Sequence, residues 1–276
     1  MRFVRYGELG AEKPGILDAA GRIRDLSGVV PDLAGAVLGD LPQVDPESLP
    51  LVPGNPRLGV PVGQVGKFIG IGLNYADHAA EAGMEPPAMP IVFMKATSSI
   101  CGAHDPVYLP RGAEKGDWEV ELGVVIGKTA KYVSEAEALD YVAGYCIVND
   151  VSERAFQMER VGQWTKGKSA DTFGPIGPWL VTPDEVGNPQ ALGLALDLNG
   201  TRMQTGNTDT MIFTVAQIIA HLSGMMSLQP GDVIATGTPP GVGMGMKPPR
   251  YLREGDVMDL RIDRLGAQRQ EVRRDA

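Results

Sequence analysis

Trp118-Glu119-Val120-Glu121-Leu122-Gly123-Val124-Val125-Ile126-Gly127 (WEVELGVVIG, residues 118–127) is the stretch from which the fold is read. Its apolar run is short, rich in β-branched residues and bounded by glycine, which favours a buried strand over a helix. Side chains alternate across a strand, so Glu119 and Glu121 share one face while Val120 and Leu122 take the other. Two carboxylates at that spacing can chelate one ion. An isolated Glu-x-Glu more often lines a wet strand face. The Val, Leu and Ile around this pair argue for burial, and buried clustered carboxylates require a cation or raised pKa values.

Outward from this stretch, YCIVND (145–150) reads as a second buried strand with Asp150 at its tip, where the acid can reach the same ion from a neighbouring strand. Ligands that are all oxygen select Mg²⁺, Mn²⁺ or Ca²⁺ over zinc. SEAEALDYVAG (134–144) is expected to be a helix with Ser134 as N-cap, and SERAFQMERVG (152–162) an amphipathic helix. IVFMKA (91–96), DVIATG (232–237), DVMDLRID (256–263) and QRQEVR (268–273) read as strands, and TVAQIIAHLSGM (214–225) as a buried helix. Asn199-Gly200 inside LALDLNGTRMQTG is the strongest hairpin signal in the chain. Strands outnumber helices and pair locally, so the fold class is α+β, mainly β, with mostly antiparallel sheets and no doubly wound alternation.

At the N-terminus, MRFVRYG and GILDAAGRIRDL read as strands about a Gly-containing turn, and the Pro-rich residues 41–64 as a linker. The expected organisation is a small N-terminal unit with linker over 1–64 and a main domain over 65–276. The 276-residue chain has a net charge of -9 and no Lys/Arg cluster interleaved with aromatics, which disfavours nucleic-acid binding. No apolar run approaches membrane-span length, and the first residues lack a signal-peptide core, so the cytoplasm is the expected location. Of the two cysteines, Cys146 sits in an apolar run, and a disulfide framework is not expected.

Of three histidines, His78 stands out because Glu81 follows at helical spacing on the short segment ADHAAEAG, and a carboxylate there can orient an imidazole that deprotonates water. A surface histidine with an incidental partner is the competing meaning of the same spacing. His104 and His221 show no such partner, and His221 reads as a packed helix residue. GQWTKGKS (162–169) satisfies the phosphate-loop pattern, and nucleotide binding is the remote alternative it raises. The Gly-Pro breaks in ADTFGPIGPW forbid the helix such a loop needs, so the segment instead delivers Lys168, a cation able to stabilise negative charge. TGTPPGVGMG (236–245) resembles an anion cradle built from backbone N–H groups and the Thr236 and Thr238 hydroxyls.

Taken together, GLNYADHAAE, WEVELGVVIG, the strand ending in Asp150, GKSADTFGPIGP and TGTPPGVG resemble the fumarylacetoacetate hydrolase family over about residues 65–262. The resemblance implies a β-roll-like catalytic domain, a homodimer, and Mg²⁺ or Mn²⁺ on Glu119, Glu121 and Asp150, with Ca²⁺ able to substitute in crystals. It also implies that His78 and Glu81 activate water, that Lys168 lies near the substrate oxyanion, and that Arg154, Gln157 and Thr238 touch substrate. The N-terminal part is similar to members acting on 2,4-diketo-3-deoxy sugar acids, often labelled ureidoglycolate lyases. The expected activity is hydrolytic carbon–carbon cleavage of an acylpyruvate-type acid in carbohydrate or aromatic catabolism. Oxaloacetate decarboxylase, ureidoglycolate lyase and dienedioate isomerase are alternatives on the same scaffold.

Overall fold

The computed structural model describes residues 1–81 and 85–275, with the side chains of residues 78–80 outside the described part. Strands Val120–Ile126 and Val142–Asn149 are buried along their whole length, as near-continuous apolar runs require. They pair antiparallel at the centre of a ten-stranded sheet. Beyond the first lie Val233–Ala235, Phe68–Gly72 and Ile91–Lys95, and beyond the second lies Gly174–Val181. A five-stranded sheet holds the hairpin Gly193–Leu198 and Thr201–Asn207, followed by Val257–Ile262, Gly266–Arg274 and Val107–Leu109. Parallel pairs are in the minority, at Ile100–Gly102, Val233–Ala235 and Val107–Leu109. The sheets are therefore mixed and mainly antiparallel, as expected.

The Asn199-Gly200 turn forms with both residues at positive φ, 53° and 76°, the backbone that a two-residue hairpin demands. Helix Val215–Met225 starts on a capping box between Thr214 and Gln217 and buries Ile218, Ile219 and Leu222. His221 is half-buried on it. The two cysteines are free and buried. Among the described residues no helix is long and apolar enough to cross a membrane.

Two helical expectations need correction. Residues 134–144 form only a 3₁₀ turn, Ala138–Tyr141, before the chain enters the central strand; the Ser134 hydroxyl donates to the Glu137 carboxylate instead of capping backbone. Val142 and Ala143, within the segment read as helix, begin the central strand. Residues 152–162 likewise break into a two-residue strand, Ser152–Glu153, and a single π-helical turn, Ala155–Glu159. A π turn is a feature that clusters at functional sites.

The proposed division near residue 65 follows composition, whereas the sheet runs across it. Strand Arg2–Tyr6 pairs with Gly174–Val181, and Lys13–Leu17 and Ile23–Asp25 extend the sheet from there. Phe3, Ile16, Leu26 and Leu38 share one apolar cluster with Val125, Cys146 and Ile176. Deleting residues 1–64 should therefore strip a sheet edge and bare that cluster, giving a fragment that aggregates. Recovery of a soluble 65–276 fragment with a cooperative calorimetric melt would show the opposite.

Candidate active site

Antiparallel pairing places the start of one central strand beside the end of the next: Val120 is opposite Asn149. Glu119 and Asp150, 31 positions apart in sequence, are thereby brought to one end of the sheet, where the Asp150 N–H donates to the Glu119 carbonyl at 2.9 Å. Ligand oxygens of Glu119, Glu121 and Asp150 all lie within 4.8 Å of one another, and all three residues are buried. Oxygens held at about 2.0–2.6 Å from one hard cation are at most roughly 5 Å apart, so the cluster fits such an ion.

The glutamates are aimed by the backbone between them. The Val120 N–H donates to Gln204 Oε1 at 3.0 Å and its carbonyl accepts from the Thr238 hydroxyl at 2.9 Å, while Gln204 Nε2 donates to that same hydroxyl at 2.8 Å. Asn149 adds a side-chain acceptor for the Glu119 N–H at 3.2 Å. Thr238 thus lines the cleft and also carries structure. Thr236 serves structure only, its buried hydroxyl donating to the Leu122 carbonyl at 2.9 Å.

Three cations are set into the floor. Lys168 donates to Glu119 Oε2 and Asp150 Oδ2, both at 2.7 Å. Arg154 is bound to Glu119 at 2.7 Å, Asp117 at 2.9 Å and Gln157 at 3.0 Å. Lys95 donates to Asp150 Oδ1 at 2.5 Å and to the Val151 carbonyl at 3.2 Å. Against Asp117, Glu119, Glu121 and Asp150 these leave one negative charge in excess, which a divalent ion would turn to one positive. Burial works against the charge on Glu119, but Lys168 and Arg154 outweigh it and hold the carboxyl down at about 2. Burial, then the charges of Asp150 and Glu119, push Glu121 well above the usual carboxylate range. Burial lowers Lys95 more than Asp150 raises it; for Lys168, burial is overcome by Asp150 and Glu119, and its pKa is raised.

The loop 236–245 binds anions, but they are the protein's own carboxylates. The Gly237 N–H donates to Glu121 at 2.7 Å, Gly241 to both oxygens of Glu81 at 3.1 Å, and Gly243 and Met244 to Asp117 at 2.7 and 3.0 Å. Gly241 (φ +103°) must be glycine, because a Cβ there would lie 2.0 Å from the Met203 carbonyl oxygen. Glu81 ends helix Ala76–Glu81, whose entry is pinned by Asn74 donating to the Phe213 and Thr236 carbonyls. His78 falls within this helix; its side chain lies outside the described residues.

The segment 162–169 forms one short helical turn, Thr165–Lys168, which ends where a phosphate loop would begin its helix, so it is not a phosphate loop. Gly167 packs so closely that a Cβ would lie 2.4 Å from the Glu153 carbonyl oxygen, and Lys168 points inward, 2 % exposed. Above the floor lies a cleft lined by Glu119, Glu121, Arg154, Gln157, Lys168 and Thr238, with an enclosed volume of about 100 Å³. Lys95 and Asp117 were missed from sequence. Lys95 ends an apolar strand as Asp150 does, a signal that could have found it; Asp117 gave none.

The fumarylacetoacetate (FAA) hydrolase C-terminal family matches residues 67–273. The chain belongs to that family. A Burkholderia cenocepacia relative, 67 % identical over 99 % of each chain, has a name that goes no further than a provisional assignment as a hydrolase. The fumarylacetoacetate hydrolase structure from Exiguobacterium antarcticum is similar over 100 % of both chains at 37 % identity, with a TM-score of 0.90. Maleylpyruvate hydrolase from Sphingobium sp. SYK-6, solved with manganese(II) and pyruvate, is similar over 100 % of both chains at 28 % identity and a TM-score of 0.81.

Burial and the neighbouring charges of Asp150 and Glu119 favour the protonated form of Glu121, so an arriving cation competes with a proton there. Titrating metal-free protein with Mn²⁺ in buffers of different ionisation enthalpy should show proton release, with affinity climbing as pH rises. A buffer-independent heat and a pH-independent affinity would refute this.

Proposed function

We propose that this protein is a divalent-metal-dependent hydrolase that cleaves a carbon–carbon bond in an acylpyruvate-type 2,4-dioxo acid, giving pyruvate and a carboxylic acid. The observation that carries the reading is the buried convergence of Glu119, Glu121 and Asp150 at the floor of a cleft that also presents Lys168 and Arg154. The maleylpyruvate hydrolase bound to manganese and pyruvate supports it by likeness. Glu119, Glu121 and Asp150 would hold Mg²⁺ or Mn²⁺, which when bound supplies Lewis acidity and a two-point grip on a carboxylate and its neighbouring oxo group.

The chain's own groups then divide the work. Arg154, held by Asp117 and Glu119, and Gln157, held by Arg154, keep a fixed polar edge beside the substrate, and Thr238 lines the same cleft. His78, with Glu81 one helical turn on, takes a proton from the water that attacks the C4 carbonyl. Lys168 spends two of its three N–H donors on Glu119 and Asp150, and the third faces the oxyanion formed at C4. Collapse breaks the C3–C4 bond: C4 leaves as the carboxylic acid, C3 takes a proton, and pyruvate results. Assembly as a homodimer and action on a free small-molecule acid belong to this proposal.

The test is a panel of acylpyruvates, oxaloacetate and ureidoglycolate, with and without chelator. The expected result is pyruvate from acylpyruvates, abolished by chelator and restored by Mg²⁺ or Mn²⁺. Turnover of oxaloacetate or ureidoglycolate with every acylpyruvate untouched would overturn it. Lys168→Met should lower kcat by about 10²- to 10³-fold, the usual cost of one oxyanion donor. An unchanged kcat would remove Lys168 from the chemistry.

A further inference from the structure

The cleft has two unlike halves. Its floor is charged, whereas its wall is made by Ile71, Leu73, Phe93, Met158, Trp164 and Met244. The Phe93 and Trp164 rings meet at 5.5 Å between centroids, tilted by 58°. Both are seated on bare backbone of the strand Phe68–Gly72: a Cβ would come within 2.2 Å of Phe93 at Gly70 and within 2.4 Å of Trp164 at Gly72. The alternating glycines of FIGIG are what allow an aromatic surface here. Wall and floor join at Lys168, whose Nζ lies 5.1 Å from the Phe93 ring centroid. Met158 and Met244 stand at the mouth, 50 % and 39 % exposed, as adaptable apolar surface.

From this, and resting on the reading of the floor given above, we propose that the group the substrate carries beyond C4 is apolar, an aryl or alkyl group, and neither a second carboxylate nor a polyhydroxyl chain. With C4 beside Lys168, that group meets Phe93 and Trp164. The cations among the described lining residues, Arg154 and Lys168, are both committed to floor carboxylates. A distal carboxylate would lose its water against aromatic rings and thioethers with no counter-charge among the described wall residues. A chain of hydroxyls would meet, among the described side chains of that wall, aliphatic, thioether and aromatic surface, so most of its lost hydration would go uncompensated. An aryl group loses nothing comparable and gains ring contact with both aromatics.

The test uses the wild-type protein with Mg²⁺ and four probes: 2,4-dioxopentanoate, 4-phenyl-2,4-dioxobutanoate, 2,4-dioxohexanedioate and 5,6-dihydroxy-2,4-dioxohexanoate. The phenyl compound should exceed the diacid and the dihydroxy acid in kcat/KM by about 10-fold or more, the scale on which pockets discriminate such groups. Met244→Arg, a change at an exposed side chain, should raise the diacid-to-phenyl ratio of kcat/KM about 10-fold. A wild-type preference for the diacid or the dihydroxy acid overturns the inference while leaving carbon–carbon hydrolysis standing. If none of the four is cleaved, the reading of the floor falls and this inference falls with it.

Discussion

Ionised groups taken out of water must be paired, and this protein buries seven around one point: Asp117, Glu119, Glu121, Asp150, Lys95, Arg154 and Lys168. Each ion pair constrains two elements at once, because the partners come from different strands and turns. Lys95 ties the strand Ile91–Lys95 to the tip of the central strand at Asp150, Lys168 ties the 162–169 turn to Asp150 and Glu119, and Arg154 ties the start of the π turn to Asp117. Removing one member would leave an uncompensated buried charge, a loss of about 3–5 kcal/mol in comparable systems. The site and the fold around it are for that reason one electrostatic object.

Within that object the negative charge is arranged unevenly. Glu119 is doubly countered and stays ionised, whereas among the described residues Glu121 receives one backbone N–H and no side-chain cation, so burial dominates its titration. A floor with one carboxylate in excess has a use for a dication, and a dication there would in turn attract an oxo-acid. The glycine-rich loop contributes by satisfying Glu81, Glu121 and Asp117 with its amides, which links the cleft floor to the helix that carries His78.

Much of this was legible in residues. Period-two alternation puts Glu119 and Glu121 on one face whatever the partner strands are, and Asn199-Gly200 specifies its turn through its own φ preferences. The failures have a common cause. Residues 134–144 carry helix-forming composition, yet Val142 and Ala143 are worth more as sheet, where they are buried. Residues 152–162 look amphipathic, yet Arg154 and Gln157 face the charged floor and Met158 the cleft, an order set by the site and not by a helix face. Lys95 has the same local signature as Asp150, a charged residue closing an apolar strand, but only the fold shows that its partner lies 55 positions away.

The sequence by itself determined the mainly β architecture, the three metal-type carboxylates, the false phosphate loop and the kinship to one family, since all of these rest on local periodicity, backbone preference or motif order. Only the tertiary structure decided that the first 64 residues complete the large sheet, that the glycine loop holds the protein's own acids, that Lys95 and Asp117 belong to the floor, and that an aromatic wall stands on Gly70 and Gly72. Those features depend on which strands become neighbours and which charges are left to be paired once water is excluded. Such quantities exist only after distant segments have met.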